Sequence, residues 1–542
     1  MSRRLVLLGA VIVAVAVATG LAATGSRDGS VVEQRVAAAN TGEGLIDVAS
    51  EVGLDVAHSA FRWGLAGDPV AMMSGGLCWL DVDRDGWLDL FVTDTWSNGE
   101  WALWNEGDGL PTSRIFRNVE GRFEEATEAW GAGQATRALG CTVADFNADG
   151  FADLYVTTSR ANLLLMNERG SGFAEVATVA GADLYGWQAG AAAGDLNGDG
   201  HIDLFVAGYA DLNRPRDDSD SGFPNTVEAR PDVVLFGTGV VEGVPRFEHQ
   251  ALSAIGIEPD GPEYGLDVAL FDADDDGDLD VYVANDTQPN RLYRNDLAVA
   301  GRFVDVAPEA GVGDAGSGMG VALGDTNRDG RSDLAVTNLA GQGHGVFVTD
   351  QPGMGWTERS ADLLATLGLA ETGWGVSFVD LDSDAELDAI VASGDIPIVA
   401  ETEPVPISAS MSDGSTPGGV RLPSRNGRGV APADFDNDGD IDIAITGIGE
   451  PLVLLENELE QGRSLTVDAF LPTGSSLRVE LADGSVLSWV AVSGGRWMSG
   501  ADPRPHIGIG DGSAVGIELT LPGEPPRLLE VPATGHGYVS ID

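Results

Sequence analysis

Cysteine is nearly missing from this 542-residue chain: Cys78 and Cys141 are the only two, which excludes a disulfide-stapled scaffold. Both precede an acidic motif described below, Cys78 by three residues and Cys141 by four. That offset places them on opposite faces of equivalent strands, and the expectation is two small buried thiols rather than a disulfide. Basic residues are also scarce, 30 Lys+Arg against 85 Asp+Glu, giving a formal charge of −55. Such a chain repels phosphate backbones and anionic membrane surfaces, so nucleic acid is excluded as a partner. Aromatic residues make up only 7%, but 43% hydrophobic residues and 75 glycines in patterned positions argue for a folded, turn-rich protein rather than an acidic disordered one. The six histidines (His58, His201, His249, His344, His506 and His536) are scattered. They form no paired metal spacing, and no G-x-S-x-G nucleophile elbow occurs.

Long apolar runs are confined to the start. Arg3 and Arg4 precede an apolar stretch from Leu5 to Val17, followed by the small residues Gly20, Ala22 and Ala23. Residues 1–23 therefore read as an export signal, either cleaved or kept as a membrane anchor, and residues 24–44 as a linker. The rest of the chain is expected outside the cytoplasm, with membrane contact only through that possible anchor.

What the chain has in abundance is one repeated nonapeptide, Asp-x-Asp/Asn-x-Asp-Gly-x-x-Asp followed by a β-branched run. The seven copies read DVDRDGWLD from Asp81, DFNADGFAD from Asp145, DLNGDGHID from Asp195, DADDDGDLD from Asp272, DTNRDGRSD from Asp325, DLDSDAELD from Asp380 and DFDNDGDID from Asp434. Successive starts lie 64, 50, 77, 53, 55 and 54 residues apart, a period suited to one four-stranded propeller blade. A strand-like run follows each copy (LFVT from Leu90, for example). A glycine stands five residues ahead in six copies, with Asp267 the exception. Such glycines suit innermost strands, where blades crowd the axis. Third-strand segments recur as RIFRN, LLLMN and NRLYRN, and outer-strand segments as FEEATEAWG, FAEVATVAG and FVDVAPEAG.

The expected fold is all-β: a seven-bladed β-propeller over residues 45–460 with a small C-terminal β domain over 461–542. The segment LIDVASEVG from Leu45 lacks a motif, and the seventh motif lacks an outer strand; residues 45–49 should fill that edge and close the ring. Blade six has no third-strand signature, so a long loop is expected from Ile396 to Arg428, and a second insertion spans Tyr209 to Asp232.

Oxygen side chains at alternate positions of a tight turn form a hard-oxygen cage, which is calcium chemistry. The candidate ligands at positions 1, 3, 5, 7 (by its carbonyl) and 9 are as follows. The first copy offers Asp81, Asp83, Asp85, Trp87 and Asp89; the second Asp145, Asn147, Asp149, Phe151 and Asp153; the third Asp195, Asn197, Asp199, His201 and Asp203. The fourth offers Asp272, Asp274, Asp276, Asp278 and Asp280; the fifth Asp325, Asn327, Asp329, Arg331 and Asp333. The sixth offers Asp380, Asp382, Asp384, Glu386 and Asp388, and the seventh Asp434, Asp436, Asp438, Asp440 and Asp442. Polar turns alone do not require acids at positions 1, 5 and 9 in every copy, and so many carboxylates repel without a counter-ion. Up to seven calcium ions are expected, mainly structural. Copies with Asn at position 3 should bind more weakly, and the sixth is the poorest candidate because Ala385 replaces the turn glycine.

These blades resemble the FG-GAP/VCBS repeats of integrin-α-type propellers, and VANDTQPNRLYRND at Val283–Asp296 resembles the cartilage acidic protein family. From Ser464 onward the chain resembles an ASPIC/UnbV domain, on Gly494, Gly495, Ser499, Asp502, Pro503, His506, Gly508, Gly510 and Pro522. The resemblance implies adhesion, matrix contact or an undefined secreted role. No Cys-rich module follows, which departs from the vertebrate pattern.

Asp502 with His506 is a candidate polar site, with a satisfied structural histidine as the plainer account. Trp79, Trp87, Trp101, Trp104 and Trp374 could stack on sugars, although packing between blades is the commoner use of tryptophan. The expected function is a secreted, monomeric calcium-binding module presenting an unnamed protein or glycan ligand site. The alternative is an extracytoplasmic enzyme or biosynthetic accessory (polysaccharide lyase-like or enediyne-associated), which would need ionisable groups converging on the central channel.

Overall fold

Each acidic nonapeptide sits between two strands, and the apolar runs on either side pair across it. In the first sheet, Leu77–Leu80 and Asp89–Val92 flank the motif and pair antiparallel, Leu80 opposite Asp89. Arg114–Asn118 and Phe123–Glu125 complete the sheet in simple up-and-down order. The structure, a computed structural model, describes residues 44–542 apart from 65–66, 108, 217–221, 259–260, 262, 350–354, 361–370, 397–403, 420–421 and 542. The export-signal reading of residues 1–23 lies outside the described residues.

The same pattern repeats in seven antiparallel sheets. Their inner strands are Leu77–Leu80, Ala138–Ala144, Gln188–Gly194, Gly265–Phe271, Gly318–Gly324, Gly373–Val379 and Gly427–Ala433. Each inner strand packs against the next, and the last packs against the first, so the sheets form a closed ring. Closure is covalently staggered as expected: Gly44–Asp47 pairs with Val453–Glu458 and supplies the outer edge of the seventh sheet. Strand accounts for 44% of the chain and helix for 8%, and every described helix is a turn or two at most.

Apolar side chains fill the gaps between neighbouring sheets. Between the seventh and first, Trp79, Leu90 and Phe116 meet Ala431, Phe435 and Leu454, and the Trp79 indole N–H donates to the Ala431 carbonyl at 3.0 Å. The glycines ahead of the motifs mark the crowding. In six sheets the pairing of the inner strand with its neighbour shifts register at this point. A β-carbon at Gly320 would collide with the Trp374 carbonyl, and one at Gly375 with the Arg428 carbonyl, each on the next inner strand.

Two insertions differ from the expectation. The sixth sheet does have a third strand, Ser408–Ser410, paired with Asp388–Ser393. It was invisible because a three-residue strand of Ser and Ala carries no apolar signature. The Tyr209–Asp232 insertion forms a two-stranded ribbon, Ala210–Pro215 with Val227–Ala229.

The C-terminal chain folds into two small sheets around Leu465, Val479, Ile507 and Leu519, and residues 39–542 form one compact unit. Between these sheets, the loop Ser493–Arg504 enters the axis of the ring. Ser493–Gly494 pairs with the fourth inner strand, the Met498 carbonyl accepts from Cys141 N–H, and the Gly500 carbonyl accepts from Trp79 N–H. Gly494, Gly495, Arg496, Trp497 and Met498 all have positive φ, between 56° and 82°. A run of left-handed L-residues costs roughly 1–2 kcal/mol for each non-glycine, so something must hold it. That something is Asp267, the exception in the glycine pattern. Its fully buried carboxylate accepts from the N–H groups of Trp497 (3.0 Å), Met498 (3.2 Å), Val321 (3.1 Å) and Val268 (3.2 Å). From the opposite side the axis is filled by Pro69–Met72 and its flanks, packed with Trp374, Trp497 and Met498.

The two cysteines are joined as a disulfide, Cys78–Cys141, with Cα atoms 6.2 Å apart, which corrects the expectation of free thiols. The premise was sound and the inference was not: opposite faces of equivalent strands in consecutive sheets are the two faces that meet. The link closes a separation of 63 residues, which by chain entropy stabilises the fold by about 3–4 kcal/mol. Denatured but unreduced protein should therefore take up no maleimide, and Cys78→Ala/Cys141→Ala should lower the unfolding free energy by about that amount; labelling of both thiols would refute the link.

Candidate metal centres

In all seven nonapeptides the first aspartate folds the turn. Its Oδ1 accepts the N–H of position 5 and its Oδ2 that of position 6, as Asp81 does from Asp85 (3.1 Å) and Gly86 (2.9 Å). The equivalent pairs recur at Asp145, Asp195, Asp272, Asp325, Asp380 and Asp434. The position-5 aspartate accepts the N–H of position 7 in every copy. The turn is left-handed at position 6, where glycine has no penalty; Ala385 adopts the same conformation at φ 74°. Position 4 is left-handed too, at Arg84, Ala148, Asp275, Arg328, Ser383 and Asn437 as well as Gly198. Nothing in the sequence pattern marked that position.

The position-9 aspartates are buried and begin the second strand of each sheet. Each uses one oxygen for the N–H of position 2 and the other for an N–H on the third strand. For Asp89 these are Val82 (2.9 Å) and Asn118 (2.8 Å). The same double contact holds at Asp153, Asp203, Asp280, Asp333, Asp388 and Asp442. A carboxylate has about four lone-pair sites, so these two bonds leave capacity for a cation except at Asp333, which also accepts the Thr326 and Thr349 hydroxyls.

Four asparagines on the third strands, missed as functional residues, tie neighbouring loops together. Asn118 Nδ2 donates to the Leu88 carbonyl of its own loop (3.0 Å) and to the Phe435 carbonyl of the seventh (2.7 Å), across the ring closure. Asn167, Asn295 and Asn457 make the same bridge to the preceding loop. The signal was present as the terminal Asn of RIFRN, LLLMN and NRLYRN.

Where position 3 is aspartate, the loops gather charge that the backbone does not use. Carboxylate oxygens of Asp81, Asp83 and Asp85 lie within 4.8 Å of one another, as do those of Asp272, Asp274 and Asp276, of Asp380, Asp382 and Asp388, and of Asp434, Asp436 and Asp442. Buried Oδ1 atoms of Asp83, Asp274 and Asp382 accept no hydrogen bond, nor do those of Asp278 and Asp440 at position 7. Orphaned buried oxygens on converging carboxylates are the environment a hard divalent cation satisfies. Where position 3 is asparagine, Asn147, Asn197 and Asn327 accept the N–H of position 5, as Asp436 also does in the seventh loop. Arginines also reach these loops: Arg117 approaches Asp83 at 2.5 Å and Asp85 at 3.1 Å, and Arg169 approaches Asp149 at 3.5 Å.

Burial dominates the electrostatics. It pushes Asp89, Asp153 and Asp280 up to about 8 against the pull of their backbone donors, and Asp81 and Asp272 up to about 6. In the seventh loop burial and then Asp438 raise Asp436 to about 7 and Asp440 to about 10.

The C-terminal sheets lie on the face bearing these loops. Gly462 N–H donates to the Asp382 carbonyl (2.7 Å), Gly510 N–H to Ser383 (2.8 Å) and Arg504 Nη2 to Asp434 (2.7 Å). Asp502 is committed to Arg504 at 2.8 Å. Asp502 thus supports the arginine that docks the domain, whereas His506 Nδ1 lies 3.1 Å from Thr466 Oγ1 within the C-terminal sheets, and burial pulls the imidazole down to about 4. Of the tryptophans, Trp79 and Trp374 are wholly buried and Trp104 nearly so, whereas Trp101 is half exposed on the opposite face of the ring. Besides Arg496, whose guanidinium burial lowers to about 10, perturbed ionisable groups reach the axis at Asp267, raised by burial to about 6, and Arg428, lowered by burial to about 9. The polar atoms of Asp267 and Arg428 are spent on backbone groups.

Fold and loops together define a β-propeller with acidic loops, and a family model of the FG-GAP-like repeat matches residues 81–156, 145–206 and 272–336. Within that class the chain is similar to cartilage acidic protein 1. Cartilage acidic protein 1 of Mus musculus is 24% identical over 352 residues, 60% of this chain and 50% of the relative. The Homo sapiens protein is 24% identical over 351 residues, 60% of this chain and 49% of that one. The chain thus spans about half the length of the curated relatives it matches. Distant likenesses to solved structures include a Burkholderia pseudomallei lectin, BP39L (TM-score 0.41, 13% identity, 70% of this chain and 95% of that one). Another is a Bacillus licheniformis rhamnogalacturonan lyase (TM-score 0.39, 13% identity, 74% of each chain). Likenesses this remote carry no functional argument.

Two outcomes follow from the loop geometry. Ala385→Gly removes a left-handed L-residue and should stabilise the protein by about 1 kcal/mol in chemical denaturation; a loss of stability would contradict the strained turn. Carboxyls held above their ordinary 3.8 keep their protons better folded than unfolded, so their contribution is complete below pH 3.8 and is lost as the pH rises through the folded values of about 6 to 8. In chelator, the melting temperature should therefore fall between pH 5 and pH 8, and excess calcium should abolish the fall; a flat profile in chelator would contradict it.

Proposed function

We propose that this chain is an exported, calcium-loaded binding module, its loops filled by structural cations and its ligand a protein or glycan. The observation that carries the calcium assignment is the set of buried, unpartnered oxygens on Asp83, Asp274 and Asp382 inside converging carboxylate groups. A buried carboxylate oxygen without a partner is costly to keep ionised, and a divalent ion would offset that cost without rearranging the loop. The residues present fit calcium: all side-chain donors are hard oxygens, and no sulfur or imidazole lies among positions 1, 3, 5 and 9.

The binding assignment is supported by how the two faces of the ring are used. The loop-bearing face is covered in part by the C-terminal sheets, which pin the sixth and seventh loops. The opposite face carries the insertions, the Ala210–Pro215 ribbon and the exposed aromatics Trp63, Trp101 and Tyr185. Loops that vary in length on a rigid scaffold are where recognition is usually placed. Among the described residues no helix is long and apolar enough to cross a membrane; export rests on residues 1–23.

Trp87 occupies position 7 of the first loop, which supplies a direct readout. Terbium titrated into chelated protein should give indole-sensitised emission that calcium competes away and that Asp83→Ala abolishes for the first loop; no emission, or emission unmoved by calcium, would sink the calcium reading. For the ligand, a glycan and secreted-protein array probed with calcium-loaded protein should show binding lost on Trp101→Ala, whereas binding indifferent to that change would move the site elsewhere.

A further inference from the structure

Every other arginine buried in the ring or at its junction with the C-terminal sheets is fully occupied. Arg428 donates to the carbonyls of Met72 (2.8 Å), Gly427 (2.8 Å) and Asp395 (3.0 Å). Arg137 pairs with Asp68 at 2.6 Å, and Arg504 with Asp502 at 2.8 Å. Arg496 is different. Its Nε lies 3.4 Å from Ser377 Oγ and its Nη1 3.4 Å from the Gly494 carbonyl, both long contacts, and among the described residues no carboxylate comes within 4.0 Å. Asp267 is the anion whose charge it feels, but both oxygens of Asp267 are taken by four backbone N–H groups.

The position of Arg496 is enforced. It is the third of the five left-handed residues, at φ 57°, and its N–H donates to the Val321 carbonyl at 2.7 Å. Backbone held in so unfavourable a conformation aims a side chain where ordinary backbone would not. Here it lines a cleft of about 990 Å³ between the ring and the C-terminal sheets, with Ser377, Ser488, Trp489 and Phe470 also on its wall. In a chain with only 30 Lys+Arg, five arginines (Arg84, Arg328, Arg331, Arg496 and Arg504) line this one cleft. Burial draws the Arg496 guanidinium down to about 10, still charged at neutral pH and short of an anion.

We propose that this cleft binds a small carboxylate-bearing ligand, such as an acidic sugar, whose carboxylate pairs with the Arg496 guanidinium while Trp489 and Phe470 cover its apolar face. A guanidinium presents a planar fork matched to a carboxylate, aromatic walls suit a ring with one apolar face, and the cleft is of the size that small ligands fill. Asp81, Asp145, Asp195, Asp325 and Asp380 on its rim belong to the loops assigned to cations above, and Asp468, Asp502 and Glu524 also line it, Asp502 being paired with Arg504; the ligand is therefore best admitted when the loops are filled, and to that extent the site rests on the calcium reading. This site is separate from any ligand on the opposite face, and it stands if that binding assignment fails.

Titration calorimetry of the full chain in saturating calcium tests it, with D-glucuronate as the probe, D-glucose as the neutral control and inorganic sulfate as the second anion. Saturable glucuronate binding is expected, with no glucose binding. Arg496→Gln should weaken it at least tenfold, and Arg496→Lys, which keeps the charge and loses the fork, by less. Sulfate competing with glucuronate would identify a general oxyanion site on the same guanidinium; sulfate failing to compete would make it selective for carboxylate. Circular dichroism and the melting temperature of each variant establish folding, and Trp489→Ala, remote from the axis, should weaken binding independently should Arg496→Gln fail to fold. No glucuronate binding by the wild type, or equal binding by wild type and Arg496→Gln, would overturn the proposal.

Discussion

A ring of twisted sheets leaves a hole down its axis, and the rest of this molecule is arranged around filling it. The inner strands are crowded at their glycines, yet they do not meet at the centre; Trp497, Met498 and the flanks of Pro69–Met72 occupy that space. Putting a loop there means burying its backbone N–H groups, each of which needs an acceptor. Consecutive left-handed residues turn several N–H groups to one side, a concave donor set that suits an anion. Asp267 is that anion. It stands where the other inner strands have glycine, so the carboxylate that breaks the repeat is the one that anchors the filling. Ring and C-terminal sheets are accordingly one compact unit, and the loop joining them is as much a part of the core as any strand.

The features legible in the sequence were those written locally and repeated. The acidic motif, the β-branched run after it and the glycine before it each recur at nearly fixed spacing, so inner strands, second strands and the closing edge at Gly44–Asp47 could be placed before any coordinates. Position-specific departures could be seen but not interpreted. Asp267 stood out at once, yet its partners Trp497 and Met498 are 230 and 231 residues away, and no local pattern connects them. The disulfide was missed for a related reason. The side-chain faces were assigned correctly strand by strand, but the contact depends on which face of one sheet looks at which face of the next. Ser408–Ser410 was missed because it is held by pairing with Asp388–Ser393 and not by propensity of its own.

The acidic loops show that one sequence pattern can have two causes. Acid at positions 1, 5 and 9 in every copy looked like a demand made by metal. The structure shows a demand made by the backbone: positions 1 and 9 each use both oxygens to hold two N–H groups. An asparagine has only one acceptor oxygen, so a carboxylate is required there whether or not a cation is bound. The position-5 oxygen closes the turn onto position 7. Invariance across copies at these three positions therefore reports the turn.

The proposed cation bears instead on position 3, the place where the copies disagree. Aspartate there brings in an oxygen with no backbone donor in three loops, at Asp83, Asp274 and Asp382; asparagine there, like Asp436 in the seventh loop, turns an oxygen back onto the position-5 N–H. Loops of the first kind hold more negative charge than their own framework uses, and Arg117 bending onto Asp83 and Asp85 is the partial compensation available from within the chain. A guanidinium can neutralise two of these oxygens from one side, but it cannot sit among three or four that converge on a point. On the calcium reading proposed above, that geometry calls for a compact divalent ion, and the first, fourth, sixth and seventh loops, where carboxylates converge, call for it most.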